Sequence, residues 1–470
     1  MIQANESIQR LDQLGGAERS DADFTATRNA CKLCTPLGAC LAFAGVEGAV
    51  PFLHGSQGCA TYIRRYMISH FREPMDIASS SFGEHATIFG GRDNLRLGLA
   101  NVIEGYAPSL IGIATTCLSE TIGDDVAMFL HEFKADHAGE AMPEIVHVST
   151  PSYAGTHAEG YIATLRSIVE QLVPPTPRTE PGHGLNLIPG MVSPADLRRL
   201  RRIAEDFDIE ATLVPDYADR MDGPSWAEYK RIPEGGTPIE AIRRMGRAAL
   251  TVEMAATAPP KRTAGAWLEQ HCGVPVRRMP LPIGIGLSDA LFTAMAECSG
   301  RSIPERYTAE RGRLIDAYVD AHKYLSGKRA IVLGEEDMIV SIVSFLAELG
   351  VEPVLVATGG HSGRLKGAIA DVAPAVADHV LIRDDSDYEA AADLAAGLSP
   401  DVIIGPSKGY TLARRINVPL LRVGFPVHDR FGGARLSHLA YAGTQQLLDR
   451  LTNALLDHRQ AESQVGFTYL

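Results

Sequence analysis

Five of the seven cysteines fall in the first quarter of this 470-residue sequence, at positions 31, 34, 40, 59 and 117. Thiolates are ligands for iron and other soft metals, and clustered cysteines in a reducing compartment serve metal or redox chemistry more often than they form disulfides. The uneven distribution therefore predicts a metal or redox site in the N-terminal part of the chain.

Glycine-rich turns surround two of these cysteines. Cys34 precedes Thr-Pro-Leu-Gly38, and Cys59 ends the string His54-Gly-Ser-Gln-Gly-Cys59. Glycine allows the backbone to approach a bulky inorganic group, and the N–H groups of such turns can donate to sulfide. The pattern is typical of a binding site for an iron–sulfur cluster.

Cys117 supplies a third thiol. It follows a predicted strand at residues 110–114, and the ligands of open α/β sheets gather at the carboxyl ends of strands. A tetra-iron cluster takes four thiolates and a larger fused cluster takes more, so three thiolates suggest a cluster shared across a subunit interface. The alternatives are a zinc site or redox dithiol at Cys31-Lys-Leu-Cys34, and plainly buried cysteines.

The other cysteines carry weaker signals. Cys40 lies in the apolar run 39–44 and is expected in the core, and Cys272 and Cys298 are isolated and expected to be structural. The role of Cys31 stays open. Among the polar neighbours, His54 is expected to hold a backbone carbonyl, and the acidic residues 120, 124 and 125 are expected to complement a helix dipole.

The elements that must position these residues follow an α/β rhythm. Short β-branched runs alternate with Ala- and Leu-rich segments of helical period, as in βα units around parallel sheets. The predicted strands are residues 110–114, 145–149, 185–188, 212–215, 274–279, 330–333, 354–357, 380–382, 402–404 and 420–423. The predicted fold class is α/β, with three Rossmann-like αβ domains and mostly parallel sheets.

Two breaks in the pattern predict the domain boundaries. One is the proline-rich segment 172–184, and the other lies at residues 299–305, before a long amphipathic helix at 306–324. We expect an N-terminal arm at 1–23 and an αβ domain with the clustered cysteines at 24–180. A second αβ domain is expected at 181–300, and a third, with a C-terminal helix, at 301–470.

Charge and hydropathy exclude several classes of partner. The formal net charge is −13, which disfavours binding to nucleic-acid phosphates or anionic lipid by bulk electrostatics. No apolar run approaches the roughly 20 residues of a membrane span, and residues 1–20 do not form a signal peptide, so we expect a cytoplasmic protein. A G-x-x-x-x-G-K-[ST] motif is absent from the sequence, so ATP hydrolysis is expected from a partner.

Seven ordered motifs together resemble the β-type subunit of nitrogenase component 1. They extend over nearly the whole chain and occupy residues 33–39, 53–59, 70–74, 87–91, 116–125, 401–409 and 418–430. The resemblance implies the three-domain fold of that subunit. It also implies that Cys34, Cys59 and Cys117 ligate a P-cluster-type iron–sulfur cluster (8Fe-7S or 4Fe-4S) shared with a homologous α-type subunit.

Two further residues receive roles from the same resemblance. Ser152 falls on the serine that can bind one iron of the oxidised cluster through Oγ, and its alternative is a turn or N-cap hydroxyl before the following helix. Phe89 falls on the surface where an ATP-hydrolysing iron protein docks, and its alternative is an ordinary apolar anchor. The implied assembly is a heterotetramer of two α-type and two β-type subunits.

Three functions within this superfamily remain open. The first, which we favour, is the β-type subunit of a nitrogenase-like reductase, such as a methylthio-alkane reductase, that relays electrons to a cofactor in the partner chain. The second is the β-type subunit of the scaffold on which the nitrogenase cofactor is assembled, and the third is a true dinitrogenase β chain. Outside this class, a metal-chelate binding protein or a zinc-stabilised structural subunit is the alternative.

Overall fold

Three parallel β-sheets, each flanked by helices, make up the protein. The computed structural model describes residues 31–177 and 182–465, so the predicted arm at 1–23 lies outside the described residues. Every pair of neighbouring strands in the three sheets is parallel. The α/β fold class predicted from the sequence is therefore confirmed.

The first sheet has the strand order β2-β1-β3-β4. Its strands are β1 (Ala49–His54), β2 (Ala78–Ser79), β3 (Leu110–Thr115) and β4 (Glu144–Val148). Its helices are α1 (Thr35–Ala44), α2 (Gln57–Phe71), α3 (Glu84–Phe89), α4 (Arg92–Tyr106), α5 (Cys117–Ile122), α6 (Val126–Asp136) and α7 (His157–Leu172). The central strands β1 and β3 are buried along their whole length, as expected of a parallel sheet covered on both faces.

The second sheet has the order β6-β5-β7-β8. Its strands are β5 (Leu185–Ile188), β6 (Ala211–Leu213), β7 (Leu250–Glu253) and β8 (Val276–Arg278). The helices of this part are α8 (Pro194–Asp206), α9 (Ala218–Met221), α10 (Ile239–Arg244), α11 (Ala264–Cys272) and α12 (Ile285–Ser299).

The third sheet has the order β11-β10-β9-β12-β13. Its strands are β9 (Arg329–Leu333), β10 (Glu352–Ala357), β11 (Leu381–Arg383), β12 (Val402–Gly405) and β13 (Leu420–Arg422). The helices are α13 (Glu305–Leu325), α14 (Glu336–Glu348), α15 (Leu365–Val372), α16 (Pro374–Ala377), α17 (Tyr388–Ala395), α18 (Tyr410–Arg415) and α19 (Ala440–Glu462). The long C-terminal helix α19 packs on α13 and α12, and so connects the second and third sheets.

All ten predicted strands overlap observed ones, but the sequence reading missed β1, β2 and β7. In β1 the misleading residue is Pro51, because proline cannot donate a ladder hydrogen bond and argues against a central strand. The neighbour β2 pairs with β1 only at Phe52 and Leu53, so no strand flanks Pro51 on that side. The missed strand matters because it leads directly to the turn before Cys59.

A close contact between α1 and α7 brings the start of α1, where Cys34 lies, against the start of α7. A Cβ atom added at Gly38 would lie 1.8 Å from the carbonyl oxygen of His157, and one at Gly160 would lie 2.1 Å from that of Thr35. Both distances are far below van der Waals contact, so only glycine permits this approach of the two backbones. The pair of glycines therefore fixes where the first cysteine turn sits.

Candidate functional site

The three predicted thiols stand at the starts of three helices on one side of the first sheet. Cys34 is the N-cap of α1, Cys59 lies in the first turn of α2, and Cys117 opens α5. Because α2 and α5 follow the neighbouring strands β1 and β3, whose last residues His54 and Thr115 are paired, their starts are adjacent. The carboxyl ends of these two strands thus deliver Cys59 and Cys117 to one place, as the sequence predicts for Cys117.

The charge interactions of Cys59 identify its neighbours. Its pKa is raised mainly by burial and then by repulsion from Cys34 and from Cys117. Repulsion of this kind acts over short distances only, so the three sulfur atoms share one electrostatic environment. A positively charged metal centre would reverse this effect, since it stabilises thiolates.

Ser152 joins two of the cysteine turns. Its backbone N–H donates to the Cys117 Sγ at 3.2 Å, and its hydroxyl accepts from the N–H of Thr35, also at 3.2 Å. The structure therefore brings the predicted residue directly between Cys117 and the residue after Cys34. Its hydroxyl accepts from a backbone N–H at the start of α1, whereas the following helix α7, which the sequence alternative concerned, is capped by Thr156.

Hydrogen bonds of the Ser119 hydroxyl fix the turn that carries Cys117. This hydroxyl accepts from the Thr116 N–H at 3.0 Å. The Ser119 hydroxyl also reaches the carbonyl of His54 at 2.8 Å, which ties this turn to the end of β1. Such bonds orient the thiol before any ligand is bound.

The donor set fits half of an iron–sulfur cluster. All three thiols are partly exposed, so their outer sides are open to a group that a second chain could also bind. No side chain crowds the approach at Gly58, where the nearest atom to an added Cβ is the Ser56 Oγ at 3.7 Å. An N–H donor to a cysteine sulfur, as Ser152 supplies, is a common feature of iron–sulfur sites and tunes their potential.

Cys31 does not belong to this group. Its side chain is 8% exposed and packs in the core of the third sheet with Ile331 and Leu333. Burial raises the pKa of the Cys31 thiol to about 12, and the nearby Asp387 acts in the same direction. Because Cys31 and Cys34 face different surroundings, the Cys-x-x-Cys spacing does not form a zinc or dithiol site.

Two other cysteines are fully buried, and one lies far from the site. Cys40 and Cys272 have no exposed surface, and burial raises the pKa of both thiols. Cys298 is partly exposed in α12, with its sulfur 4.0 Å from the carbonyl of Gly184. The core position predicted for Cys40 is confirmed.

The acidic residues after Cys117 act within the fold. Asp125 is the N-cap of α6 and accepts from the Met128 N–H at 2.9 Å, as predicted for a residue that complements a helix N-terminus. The Glu120 carboxylate accepts from the hydroxyls of Thr115 and Ser149. These bonds join α5 to the ends of β3 and β4.

His54 is structural, but its predicted partner was wrong. The ring is fully buried, and Nε2 lies 2.9 Å from Oδ2 of Asp124 rather than from a backbone carbonyl. The Asp124 carboxylate also accepts from the Gly91 N–H at 3.1 Å. Burial lowers the pKa of His54 although Asp124 opposes this effect. The error arises because Asp124 is 70 residues away and the sequence gives no sign that it folds back onto the ring.

Phe89 is an exposed apolar residue at the end of α3, close to the helix that begins at Cys117. It is 74% exposed and its neighbour Ile88 is 73% exposed, at the end of α3. Helix α3 packs on α5, the helix that begins at Cys117. An exposed apolar pair of this kind is a feature of interaction surfaces, so its location fits the predicted docking role better than that of a buried anchor.

Sequence reasoning missed two residues behind the site, His157 and Glu335. The His157 ring lies 3.3 Å from the Leu33 N–H on one side and 2.9 Å from the Glu335 carboxylate on the other. These two residues also line a cavity of about 290 Å³ between the three sheets. Neither residue lies in one of the seven motifs, and Glu335 is 178 residues from His157, so no local pattern connects the two.

Comparisons with known proteins agree with this site. The family model "Nitrogenase component 1 type Oxidoreductase" matches residues 34–456. The nitrogenase molybdenum-iron protein beta chain of Clostridium pasteurianum is 36% identical over 439 residues, with 92% of this chain and 94% of the relative covered. The chain of the same name from Methanococcus maripaludis is 35% identical over 445 residues, with 92% and 95% covered.

Solved structures extend the agreement to the fold. A chain of nitrogenase Cp1 at pH 6.5 superposes with a TM-score of 0.90 at 33% identity, covering 98% of this chain and 100% of the other. A chain of nitrogenase Cp1 at pH 5 shares the fold at 15% identity with a TM-score of 0.70. In the described residues, no helix is long and apolar enough to cross a membrane. The chain therefore belongs to the nitrogenase component 1 type oxidoreductase family, as a β-type subunit.

Proposed function

We propose that this chain is the electron-relaying β-type subunit of a nitrogenase-like reductase complex. Cys34, Cys59 and Cys117 hold one half of a P-cluster-type iron–sulfur cluster, and an α-type subunit supplies the other half. An ATP-hydrolysing iron protein docks near Phe89. The substrate is reduced at a cofactor in the partner chain.

One observation carries the proposal. Three partly exposed thiols converge from three helix starts, and the N–H of Ser152 donates to one of them at 3.2 Å. Buried structural cysteines have no need of open surface, and disulfides need paired sulfurs, whereas all seven cysteines here are free. Three open thiols on one face suit a cluster that a second chain completes.

The protein residues divide the work of electron transfer. A bound iron–sulfur cluster supplies one-electron redox chemistry at this face. The three thiolates fix its location, the Ser152 N–H offsets negative charge on the Cys117 sulfur, and the bonds of the Ser119 hydroxyl keep that turn oriented. The exposed Phe89 stands at the end of α3, which packs on the helix that begins at Cys117, so an iron protein docked there would lie beside the cluster.

The names of the relatives bear on the substrate that the complex reduces. The relatives with 33–36% identity over most of the chain are named as molybdenum-iron protein beta chains of nitrogenase. These names are equally consistent with a dinitrogenase β chain and with the methylthio-alkane reductase that the sequence alone had favoured, so the substrate assays below decide between the two. The scaffold function differs from both, because a scaffold releases its product cofactor and does not turn over a reducible substrate.

The test is anaerobic co-purification of this chain with its α-type partner. Wild-type complex is expected to contain iron beyond that of the partner's cofactor, and Cys59→Ala and Cys117→Ala are each expected to lose that additional iron. Cys298→Ala is the matched control, since Cys298 is also partly exposed but lies in α12. Iron content equal to wild type in the Cys59→Ala and Cys117→Ala complexes would overturn the proposal.

Substrate assays on the same complex separate the three functions. Supplied with the iron protein, ATP and a reductant, a dinitrogenase forms ammonia from dinitrogen. A methylthio-alkane reductase forms a thiol from a methylthio compound instead, and a scaffold does neither but yields a cofactor that can be extracted.

A further inference from the structure

Residues 31–35, here called the strap, carry Cys34 and are held from both sides. At its first residue, the N–H of Cys31 donates to the carbonyl of Ser386 at 3.3 Å, and the Cys31 side chain is buried in the third-sheet core. At its last residue, the N–H of Thr35 donates to the hydroxyl of Ser152 at 3.2 Å. The strap that contains Cys34 is therefore attached to the third-sheet region at one end and to the first-sheet region at the other.

Between these two ends, His157 holds the residue next to Cys34 twice. The N–H of Leu33 lies 3.3 Å from the ring Nδ1, and the carbonyl of Leu33 accepts from the backbone N–H of His157 at 3.1 Å. Both polar groups of the Leu33 backbone are thus bound by one residue. Cys34 follows directly, so its Cα cannot shift without breaking these bonds.

The hydrogen-bond pattern fixes the form of the His157 ring. Because Leu33 donates to Nδ1, that nitrogen carries no hydrogen, and the ring hydrogen lies on Nε2. Nε2 then donates to Oε1 of Glu335 at 2.9 Å. His157 is 3% exposed and the Glu335 side chain 11%, so both bonds are largely shielded from bulk solvent. A carboxylate behind an imidazole orients the ring and strengthens its other nitrogen as an acceptor.

Glu335 belongs to the third sheet. It is the N-cap of α14, two residues after the end of β9, whereas His157 opens α7 beside the first sheet. The chain of contacts therefore runs from the third sheet through Glu335, His157 and Leu33 to the cysteine turn.

We propose that His157 and Glu335 are positioning residues that hold Cys34 in place for the shared cluster. This inference rests on the function proposed above. Among the described residues, both ring nitrogens of His157 are already bound, one to Leu33 and one to Glu335, so the ring is not proposed as a ligand. The two residues fix the backbone at Leu33 and thereby the position of the Cys34 thiolate. Their loss is expected to weaken the attachment of the cluster at Cys34 and to leave the attachments at Cys59 and Cys117 intact.

Four variants separate the two bonds of the ring. His157→Leu removes both. His157→Asn keeps an acceptor where Nδ1 lies and so keeps the Leu33 bond, whereas His157→Gln keeps a donor where Nε2 lies and so keeps the Glu335 bond. Glu335→Gln retains an acceptor for Nε2 but removes the charge. The matched control is His438→Leu, because His438 is also buried, with Nδ1 3.3 Å from Asp196, and lies away from the cysteines.

The measurements are iron loss to a chelator under anaerobic conditions and the electron paramagnetic resonance spectrum of the oxidised cluster in the purified complex. His157→Leu and His157→Gln are expected to lose iron about tenfold faster than wild type, the effect usual for residues that orient metal ligands, and to show an altered spectrum. His157→Asn and Glu335→Gln are expected to be intermediate. His438→Leu is expected to match wild type in both measurements, whatever its thermal stability.

Three results would overturn the inference. Wild-type iron loss and spectrum in both His157→Asn and His157→Leu would do so, as would equal effects of His157→Leu and His438→Leu, which would indicate general destabilisation. In either of these two cases, loss of cluster iron from Cys117→Ala in the same series would show that the proposed function stands while the positioning role fails. A wild-type complex without cluster iron would overturn both together.

Discussion

Cys31 and Cys34 are three residues apart, yet they belong to different regions of the molecule. Cys31 is buried against strands of the third sheet and its pKa is raised to about 12, whereas Cys34 is partly exposed at the start of α1, near Cys59. A buried thiol with a raised pKa ionises less readily and offers no open side to a metal, unlike a partly exposed one. The surroundings of each cysteine, rather than the Cys-x-x-Cys spacing, therefore distinguish Cys31, a buried anchor of the strap, from Cys34, a candidate ligand.

Replacing the two cysteines in turn is expected to give the largest contrast. Cys34→Ala should abolish assembly of the shared cluster, because it removes one thiolate directly. Cys31→Ala should retain the cluster at wild-type iron content, with a loss of stability of about 1–2 kcal/mol from the small cavity left in the core. Iron content and chemical unfolding of the two variants check both expectations. Full loss of iron in Cys31→Ala would break the distinction between anchor and ligand.

The close approach of α1 and α7 provides the next test, because it sets the position of Cys34 but not that of Cys31. Gly160→Ala would place a Cβ 2.1 Å from the carbonyl oxygen of Thr35 and force the helices apart. We expect a loss of stability of about 1–3 kcal/mol or more, and faster loss of iron. Gly312→Ala in α13, where nothing lies within 4 Å, is the control and should be neutral or slightly stabilising.

The pH dependence of stability tests His70, which lies near the end of α2, the helix that carries Cys59. His70, near the end of α2, is buried and accepts from the Val427 N–H at 2.9 Å, and burial lowers its pKa to about 3. Between this value and the unfolded pKa of about 6.5, the unfolded chain binds a proton that the folded chain excludes. Stability is therefore complete above pH 6.5 and falls as the pH drops, by up to about 1.4 kcal/mol per pH unit.

The variant that checks this is His70→Asn, which keeps an acceptor for Val427 but cannot be protonated. Urea unfolding at pH 7.5, 6.5 and 5.5 should show a smaller loss of stability with acidification in the variant than in the wild type. Parallel pH profiles for the two proteins would show that His70 does not contribute to acid sensitivity.

The ease of prediction differed between the two regions for a physical reason. The fold class and the convergence of Cys34, Cys59 and Cys117 could be predicted, because strand periodicity and glycine-rich turns are local signals. The location of Cys31, the His54–Asp124 bond and the Glu335–His157 bond could not, since each depends on segments separated by 70 residues or more. Strand β1 was missed because Pro51 contradicts the local rule and only the short length of β2 makes it tolerable.

Substitution of Ser152 is expected to have the smallest effect, because in this structure Ser152 contacts the cysteine turns only through hydrogen bonds. Ser152→Ala removes the acceptor for the Thr35 N–H and leaves the backbone N–H that donates to Cys117. A loss of stability of about 0.5–1.5 kcal/mol is expected from the lost cap, with unchanged iron content.

The midpoint potential of the cluster distinguishes two roles of the Ser152 hydroxyl. If the hydroxyl only caps α1, the potential of the variant stays at the wild-type value. If Oγ also binds iron in the oxidised state, the potential rises, because an oxygen ligand that favours the more oxidised iron has been removed. Redox titration of Ser152→Ala is therefore compared with that of Ser152→Thr, which retains the hydroxyl. A raised potential in Ser152→Ala alone would show that Oγ is an iron ligand, and equal potentials would show that it only accepts the hydrogen bond from the strap.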